Sequence, residues 1–396
     1  MDEAARQAWI EAELDGYNLP PFIPLPTFDH HGPVEPPPFQ RPLALLTFSY
    51  TPERKLIWNN SAMKFYKNPP LNAPLDRDYD KWIKRPEERG RLDGLLRALR
   101  RKAVRPEAAR ADVVTWRGVM TKIITAPYEN REGWDLNAMF VNNCLYIEEH
   151  STDARLQEKE NMTPQHRLAS YYGYAFESYC TTDRPLPPDI PPQGDGWGGP
   201  VDTNVQWCTV VKTKLGNLRI IMGAEVDCVR ETFTGQPDTF VELKTSQVIR
   251  NQRDDQRFRS KMLKYWAQSY LLGIPEVVVG FRTQEGRIAN VQSFPTLDFT
   301  KMARERGEWD GGVCLEFGFE FLTHILRYTR FAQKHTKDTI VWRISFKPGS
   351  GVTIKQVDFD TPAYDEVVNG EDREGFLPNS YYEHVRPQSE SESETE

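Results

Sequence analysis

Between residues 218 and 246 the chain sets acidic side chains into two apolar, strand-like runs, an arrangement few folds tolerate. Successive side chains of a strand point to opposite faces, so residues two apart share a side. Ile220, Met222, Ala224, Val226 and Cys228 fall on one side of the first run, with Gly223, Glu225 and Asp227 on the other. In the second run, Val241 and Leu243 oppose Phe240, Glu242 and Lys244. Gly235, Gln236, Pro237 and Asp238 read as the turn between them. Paired as a hairpin, the two runs bring three carboxylates and one ammonium to one side of a sheet. Carboxylates a few ångströms apart repel, and burial raises their pKa values. A divalent cation removes the conflict, and hard oxygen ligands suit Mg²⁺ or Mn²⁺. The competing reading is an exposed hairpin whose charges are merely solvated.

Composition limits the setting of such a cluster. The 396 residues permit one large or two ordinary domains with a sizeable core. Thirty prolines predict long loops. A net charge of −7 leaves no global basic field, so nucleic acid would need a local basic lining around an acidic, metal-loaded site. The five cysteines are scattered without a C-x-x-C pair, which predicts free thiols in a reducing compartment. Residues 1–16 are acidic and lack the apolar core of a signal peptide, and no apolar run approaches membrane-spanning length. A soluble, intracellular protein with no membrane partner is expected.

Residues 1–42 are Pro-rich and predict an extended arm anchored by Phe22, Phe28 and Phe39, before a first strand over 43–49. A helix is expected over 86–102, with Pro86 at its start and Leu92, Leu95, Leu96 and Leu99 turned to the core. Arg97, Arg100, Arg101 and Lys102 near its end read as a solvated face. Arg117, beside Trp116 in an apolar segment, needs an anion if buried, either a structural carboxylate or a phosphate. A strand is expected over 144–148. Thr163 and Pro164 start a helix reaching about residue 180, with Leu168, Tyr171, Tyr172, Ala175 and Phe176 on its apolar side. Glu177 lies off that stripe and, taken alone, reads as a surface residue. Gly173, one turn earlier, suggests close approach of a backbone or ligand.

Residues 184–200 form a Pro/Gly-rich insert, read as a surface loop. Strand character resumes over 204–212. A helix over 251–272 turns Phe258, Met262, Trp266 and Tyr270 inward and carries Arg257, Lys261, Lys264 and Gln268 on another stripe. Residues 276–281 read as a buried central strand, 312–332 as an amphipathic helix and 340–346 as a late strand. The acidic end, 389–396, predicts a disordered tail with phosphorylatable serines.

An aspartate and an E-x-K motif on strands, with a helical glutamate before and a helical glutamine after, resemble the PD-(D/E)XK nuclease core. Five ordered motifs narrow the resemblance to the DXO/Rai family of decapping nucleases: Thr115-Trp-Arg117-Gly, Gly173-Tyr-Ala-Phe-Glu177, Gly223-Ala-Glu225-Val-Asp227, Val241-Glu242-Leu-Lys244-Thr-Ser and Trp266-Ala-Gln268-Ser. The resemblance spans about residues 40–380. It implies an α+β fold of two twisted mixed β-sheets flanked by helices. It also implies that Glu177, Asp227, Glu242 and the Leu243 carbonyl ligate metal, with Glu225 binding through water. Lys244 and Gln268 would orient the scissile phosphate and the attacking water, and Arg117 would hold RNA phosphate. The cofactor would be Mg²⁺ or Mn²⁺, as two ions. The activity would be hydrolysis at RNA 5′ ends: loss of pyrophosphate from triphosphorylated RNA, and removal of incomplete or NAD caps.

The chain looks more like nuclear fungal members that bind and stabilise an XRN-type 5′→3′ exoribonuclease, which implies a nuclear location and that partner. A mainly non-catalytic scaffold for the exoribonuclease and a DNA-directed nuclease are the rival readings. One catalytic domain over 1–386 is expected, with its arm and surface loop, followed by the tail over 387–396.

Overall fold

The computed structural model describes residues 19–26, 35–185, 195–334, 336, 338–368 and 372–386. Phe28, most of the insert at 184–200 and the tail over 387–396 lie outside the described residues.

Strands form where β-branched and aromatic residues concentrate, because such side chains pack well on a pleated surface. In chain order they are β1 (Phe22–Ile23), β2 (Leu43–Tyr50), β3 (Leu56–Ile57), β4 (Phe65–Tyr66), β5 (Val113–Trp116), β6 (Trp134–Val141), β7 (Cys144–His150) and β8 (Thr181–Thr182). There follow β9 (Gln206–Leu215), β10 (Leu218–Glu225), β11 (Cys228–Val229), β12 (Phe240–Gln247), β13 (Glu276–Arg282), β14 (Ile288–Pro295), β15 (Val341–Lys347) and β16 (Gly351–Val357), then β17 (Arg373–Glu374) and β18 (Leu377–Pro378), which pair with each other as a separate ribbon. The helices that bear on the site are α1 (Asp93–Leu99), α2 (Arg117–Thr125), α3 (Pro164–Cys180), α4 (Gln252–Tyr270) and α5 (Gly311–Gln333).

Two mixed sheets result, as the resemblance implied. A ten-stranded sheet runs β1-β16-β15-β6-β7-β5-β10-β9-β2-β3, and a six-stranded sheet runs β14-β13-β12-β11-β4-β8. Apolar side chains of β6, β7, β10 and β15, of helices α2, α4 and α5, and of β13 share one central core. The other face of the large sheet packs under α1, and the other face of the small sheet under α3.

The hairpin expected over 218–246 does not form as drawn. β10 pairs antiparallel with β9 on one edge and parallel with β5 on the other, so both its edges are taken within the large sheet. Gly216, at φ 58°, makes the tight reversal from β9 into β10 that fills the first of those edges. β12 instead lies in the small sheet, parallel to β13 along its whole length. As strands the two runs pair through Cys228↔Val241 and Val229↔Phe240. The alternation read through residues 220–228 therefore belongs to two strands separated by Val226 and Asp227, where the chain crosses between sheets.

The helix expected over 86–102 is shorter, beginning at Asp93. Residues 86–92 are held instead by tertiary bonds: the Arg91 carbonyl accepts from Trp116 Nε1 at 2.8 Å, and its guanidinium pairs with the buried Glu148 at 2.7 Å. Leu92, Leu95, Leu96 and Leu99 are buried as expected. In the arm, Ile23 rather than Phe22 is the buried anchor, because Phe22 is the outward member of the two-residue strand. Phe39 stacks on Tyr270 as an anchor should, ring centroids 5.0 Å apart. Gly173 has no described neighbour that a Cβ would meet within 4 Å, so no packed backbone requires that glycine.

The other helices and strands follow the sequence reading closely. Thr163 caps α3 by accepting from the His166 amide, and Pro164 takes its first position. Phe258, Met262 and Trp266 are buried on α4. All five cysteines are free and buried. No helix among the described residues is long and apolar enough to cross a membrane.

Candidate active site

Four acidic residues reach one region from three supports. Glu225 is the last residue of β10, Asp227 lies in the link to β11, Glu242 is on β12 and Glu177 is on α3. α3 is placed by Phe176, whose ring fills the space a side chain at Gly280 of β13 would occupy. Glu177 is the next residue, so this close packing sets its position. Glu177, read from its own helix as a surface residue, is half-buried and faces the cluster.

Hydrogen bonds fix each carboxylate differently. The Leu243 amide donates to Asp227 Oδ2 at 2.7 Å. Lys244 Nζ donates to Glu242 Oε1 at 2.5 Å. Gln206 Nε2 donates to Glu225 Oε2 at 2.7 Å. Glu242 is 1% exposed, and its Oε2 is buried without a hydrogen-bond partner among the described residues. An orphaned buried carboxylate oxygen costs about 1–3 kcal/mol or more, so it marks a place for a ligand.

The electrostatics carry the same strain. Burial pushes Asp227 up to about 7 and Glu242 adds to the rise, while Lys244 and the Leu243 amide oppose it. Burial, then Asp227 and Glu225, hold Glu177 well above the usual carboxylate range. Glu225 is exposed at the cleft, yet desolvation by the surrounding protein raises it too, against the Gln206 hydrogen bond and Arg117. Glu242 is the exception: burial opposes its charge, but Lys244 and Arg117 outweigh it and lower the pKa. Lys244 is correspondingly held above its ordinary value, with Glu242 and Asp227 overcoming the effect of burial.

Such a set suits a hard divalent cation, which supplies the positive charge that protons must otherwise provide. No three His, Cys, Asp or Glu side chains among the described residues already stand in position to share one ion. Lys244 holds Glu242, and the Leu243 amide holds Asp227.

Arg117 begins α2 at the end of β5 and acts electrostatically on Glu225, Glu242 and Lys244. Its guanidinium has no ion pair or side-chain hydrogen bond among the described residues, so the structural carboxylate is not found. Gln268 is half-buried on α4 and makes no hydrogen bond to the cluster. Leu243 sends its side chain into the core beneath α3. The cluster opens into a cleft of about 700 Å³, lined by Glu177, Glu225 and Asp227 together with Lys64, Lys84 and Arg85. These cations stand where a local basic lining was expected, though each is paired with a carboxylate and the lining also holds Glu87, Glu88 and Asp202. Arg97, Arg100, Arg101 and Lys102 are exposed and do not line the cleft, consistent with a solvated face.

Gln206, Arg85, Trp82 and Tyr174 are site residues that the sequence reading missed. Tyr174 carried a usable signal, standing three residues before Glu177 on one helix. Gln206 carried none, since only the β9–β10 register, Glu225↔Cys208, brings it near Glu225.

A family model described as "RAI1 like PD-(D/E)XK nuclease" matches residues 40–382. A decapping nuclease RAI1 of Aspergillus fumigatus is 35% identical over 326 residues, covering 77% of this chain and 85% of that protein. A decapping and exoribonuclease protein of Bos taurus is also 35% identical, over 355 residues, covering 85% of each. The fold is similar to the crystal structure of Candida albicans Rai1 in complex with pU5-Mn²⁺, with a TM-score of 0.74 at 20% identity, covering 91% of this chain and 98% of that one.

Proposed function

The chain belongs to the RAI1-like PD-(D/E)XK nuclease family of hydrolases, and from that premise we propose that it is a metal-dependent hydrolase of RNA 5′ ends. The observation that carries the proposal is the convergence of Glu177, Glu225, Asp227 and Glu242, with Lys244 and an unpaired Arg117 acting on them electrostatically, where the first three line a cleft. Relatives named as decapping nucleases and a related fold in complex with pU5-Mn²⁺ support the substrate class and the metal.

Glu177, Asp227, Glu242 and the Leu243 carbonyl would hold Mg²⁺ or Mn²⁺, with Glu225 binding through water; the family reading has two ions. Bound divalent cations activate water and neutralise charge on the phosphoryl oxygens. The chain's own groups do the positioning. Lys244 presents a fixed ammonium where charge grows on the phosphate, in a site poor in water. Arg117 offers a planar guanidinium free to take a phosphate oxygen pair. Gln268 would orient the attacking water from α4. The substrates are 5′-triphosphorylated RNA, losing pyrophosphate, and RNA with incomplete or NAD caps.

The test is turnover of these 5′ ends with Mg²⁺ or Mn²⁺. Glu242→Ala and Asp227→Ala are expected to lose at least about 10²-fold in rate while keeping the wild-type far-UV spectrum. Unchanged turnover in either variant would refute the proposal. The same panel run on DNA separates an RNA hydrolase from a DNA-directed nuclease.

We also propose a nuclear location and a stabilising complex with an XRN-type 5′→3′ exoribonuclease, supported by the resemblance to fungal members. Copurification tests it. Activation of the partner that survives Glu177→Ala assigns a scaffold role separate from catalysis, and absence of any copurifying nuclease counts against the complex.

A further inference from the structure

We propose that Tyr174 and Trp82 form a stacking platform for a nucleobase at the 5′ end of the substrate, one helical turn from the acidic cluster. The identity of the ligand rests on the hydrolase reading above; the platform rests on geometry.

Tyr174 is 37% exposed, unusual for an aromatic residue in the middle of a helix packed on a sheet. Its ring lies 5.7 Å from that of Trp82, tilted by 41°, and both line the cleft beside Glu177. Tyr174 and Glu177 are three apart on α3, so they share a face with Cβ atoms about 5–6 Å apart. Any group resting on the Tyr174 ring is therefore held within a few ångströms of the carboxylates.

The platform is rigid from behind. Trp82 packs 5.5 Å from the fully buried Tyr171, which in turn meets Tyr79 at 5.2 Å. Arg167 covers Trp82 from another side, its Cζ 5.5 Å from the ring centroid. A rigid aromatic face open to a polar cleft is available to a planar group that can stack on it. The Tyr174 hydroxyl has no hydrogen-bond partner among the described residues, so the ring is not held there by a bond of its own.

The neighbouring charges choose the ligand. Lys84 and Arg85 line the same cleft: Lys84 pairs with Glu87 and Glu160, and Arg85 pairs with Glu88 and donates to Gln206 Oε1 at 3.1 Å. Cations beside an open π surface match a nucleotide, whose phosphate and base need both. A peptide aromatic would use the ring and leave the cations idle. Stacking tolerates any base and favours the larger purines.

The experiment uses the full chain with Ca²⁺ and two fluorescent probes. One is a 5′-monophosphorylated RNA with 2-aminopurine as its first base; the other is a cap-type dinucleotide with 2-aminopurine on the cap side. Quenching is expected with wild type and with Tyr174→Phe. Tyr174→Leu should lose it and weaken binding about 5- to 150-fold, the range for one stacked base. An RNA abasic at its first position should bind wild type and Tyr174→Leu alike. Loss confined to the RNA probe assigns the platform to the first transcribed base; loss confined to the dinucleotide assigns it to the cap base. Equal quenching of both probes by wild type and Tyr174→Leu overturns the proposal, as does the same loss on the abasic RNA. None of these readouts needs turnover, so an inactive hydrolase and a missing platform give different results.

Discussion

At the scale of single residues, Lys244 is the pivot. It is buried to 23% side-chain exposure, bonded to Glu242, and surrounded by carboxylates whose pKa values are mostly raised. It supplies a permanent internal counter-charge, and that is why Glu242 alone stays low. A definite pH dependence follows. Asp227 has a folded value of about 7 against 3.8 as the ordinary one, so the metal-free fold binds more protons than the unfolded chain between those values. Stability from this group is present at low pH and is lost as pH rises through about 7. A cation that replaces the proton reverses the trend. The rise in melting temperature on adding Mn²⁺ is therefore expected to be larger at pH 8 than at pH 5.5, with protons released on binding at the lower pH. Calorimetry in two buffers of different ionisation enthalpy checks the release; an equal shift at both pH values would contradict it. That Lys244, Glu242 and Asp227 share a side was readable from the strand pattern alone. That Glu177 joins them was not, because its placement depends on neighbours far away in sequence.

At the scale of elements, the site depends on how closely α3 meets β13. The Phe176 ring occupies the place of a side chain at Gly280, so helix and strand approach more nearly than any other residue there would allow. Gly280→Ala forces α3 away. It is expected to cost about 1–3 kcal/mol of stability through overpacking. It should also weaken Mn²⁺ binding by roughly 10-fold, in line with loss of ligand placement. Denaturant melts and Mn²⁺ titration measure the two effects; a stability loss with unchanged metal affinity would show that Glu177 is placed by something else. The helices were legible because their apolar residues recur at helical spacing and their ends carry caps, as Thr163 and Pro164 show. The 86–92 segment misled because its leucine periodicity stops at Leu92, and tertiary bonds from Arg91 and Trp116 take the residues before it.

At the scale of the whole molecule, the site is a seam. Glu225 belongs to the ten-stranded sheet, Glu242 to the six-stranded one, and Glu177 to the helix covering the latter. A shared cation would tie these bodies together at the 226–227 crossing. Hydrogen exchange is expected to slow on Mn²⁺ addition at residues 226–229 and in the C-terminal half of α3, while β6 and β7, deep in the large sheet, exchange as before. Uniform slowing across both sheets would show general stabilisation instead.

The sequence alone determined that acidic residues interrupt apolar runs, and it determined most of the elements. Acidic residues planted in apolar runs are costly unless paired or metal-bound, and the spacing of apolar residues reports helix and strand wherever one face is buried. The tertiary structure decided which strands pair and which acids meet. Edge occupancy, set by β9 and β5 on either side of β10, kept the two acidic runs in different sheets. Local alternation records which face a side chain takes; it holds no information about which distant backbone fills the neighbouring edge.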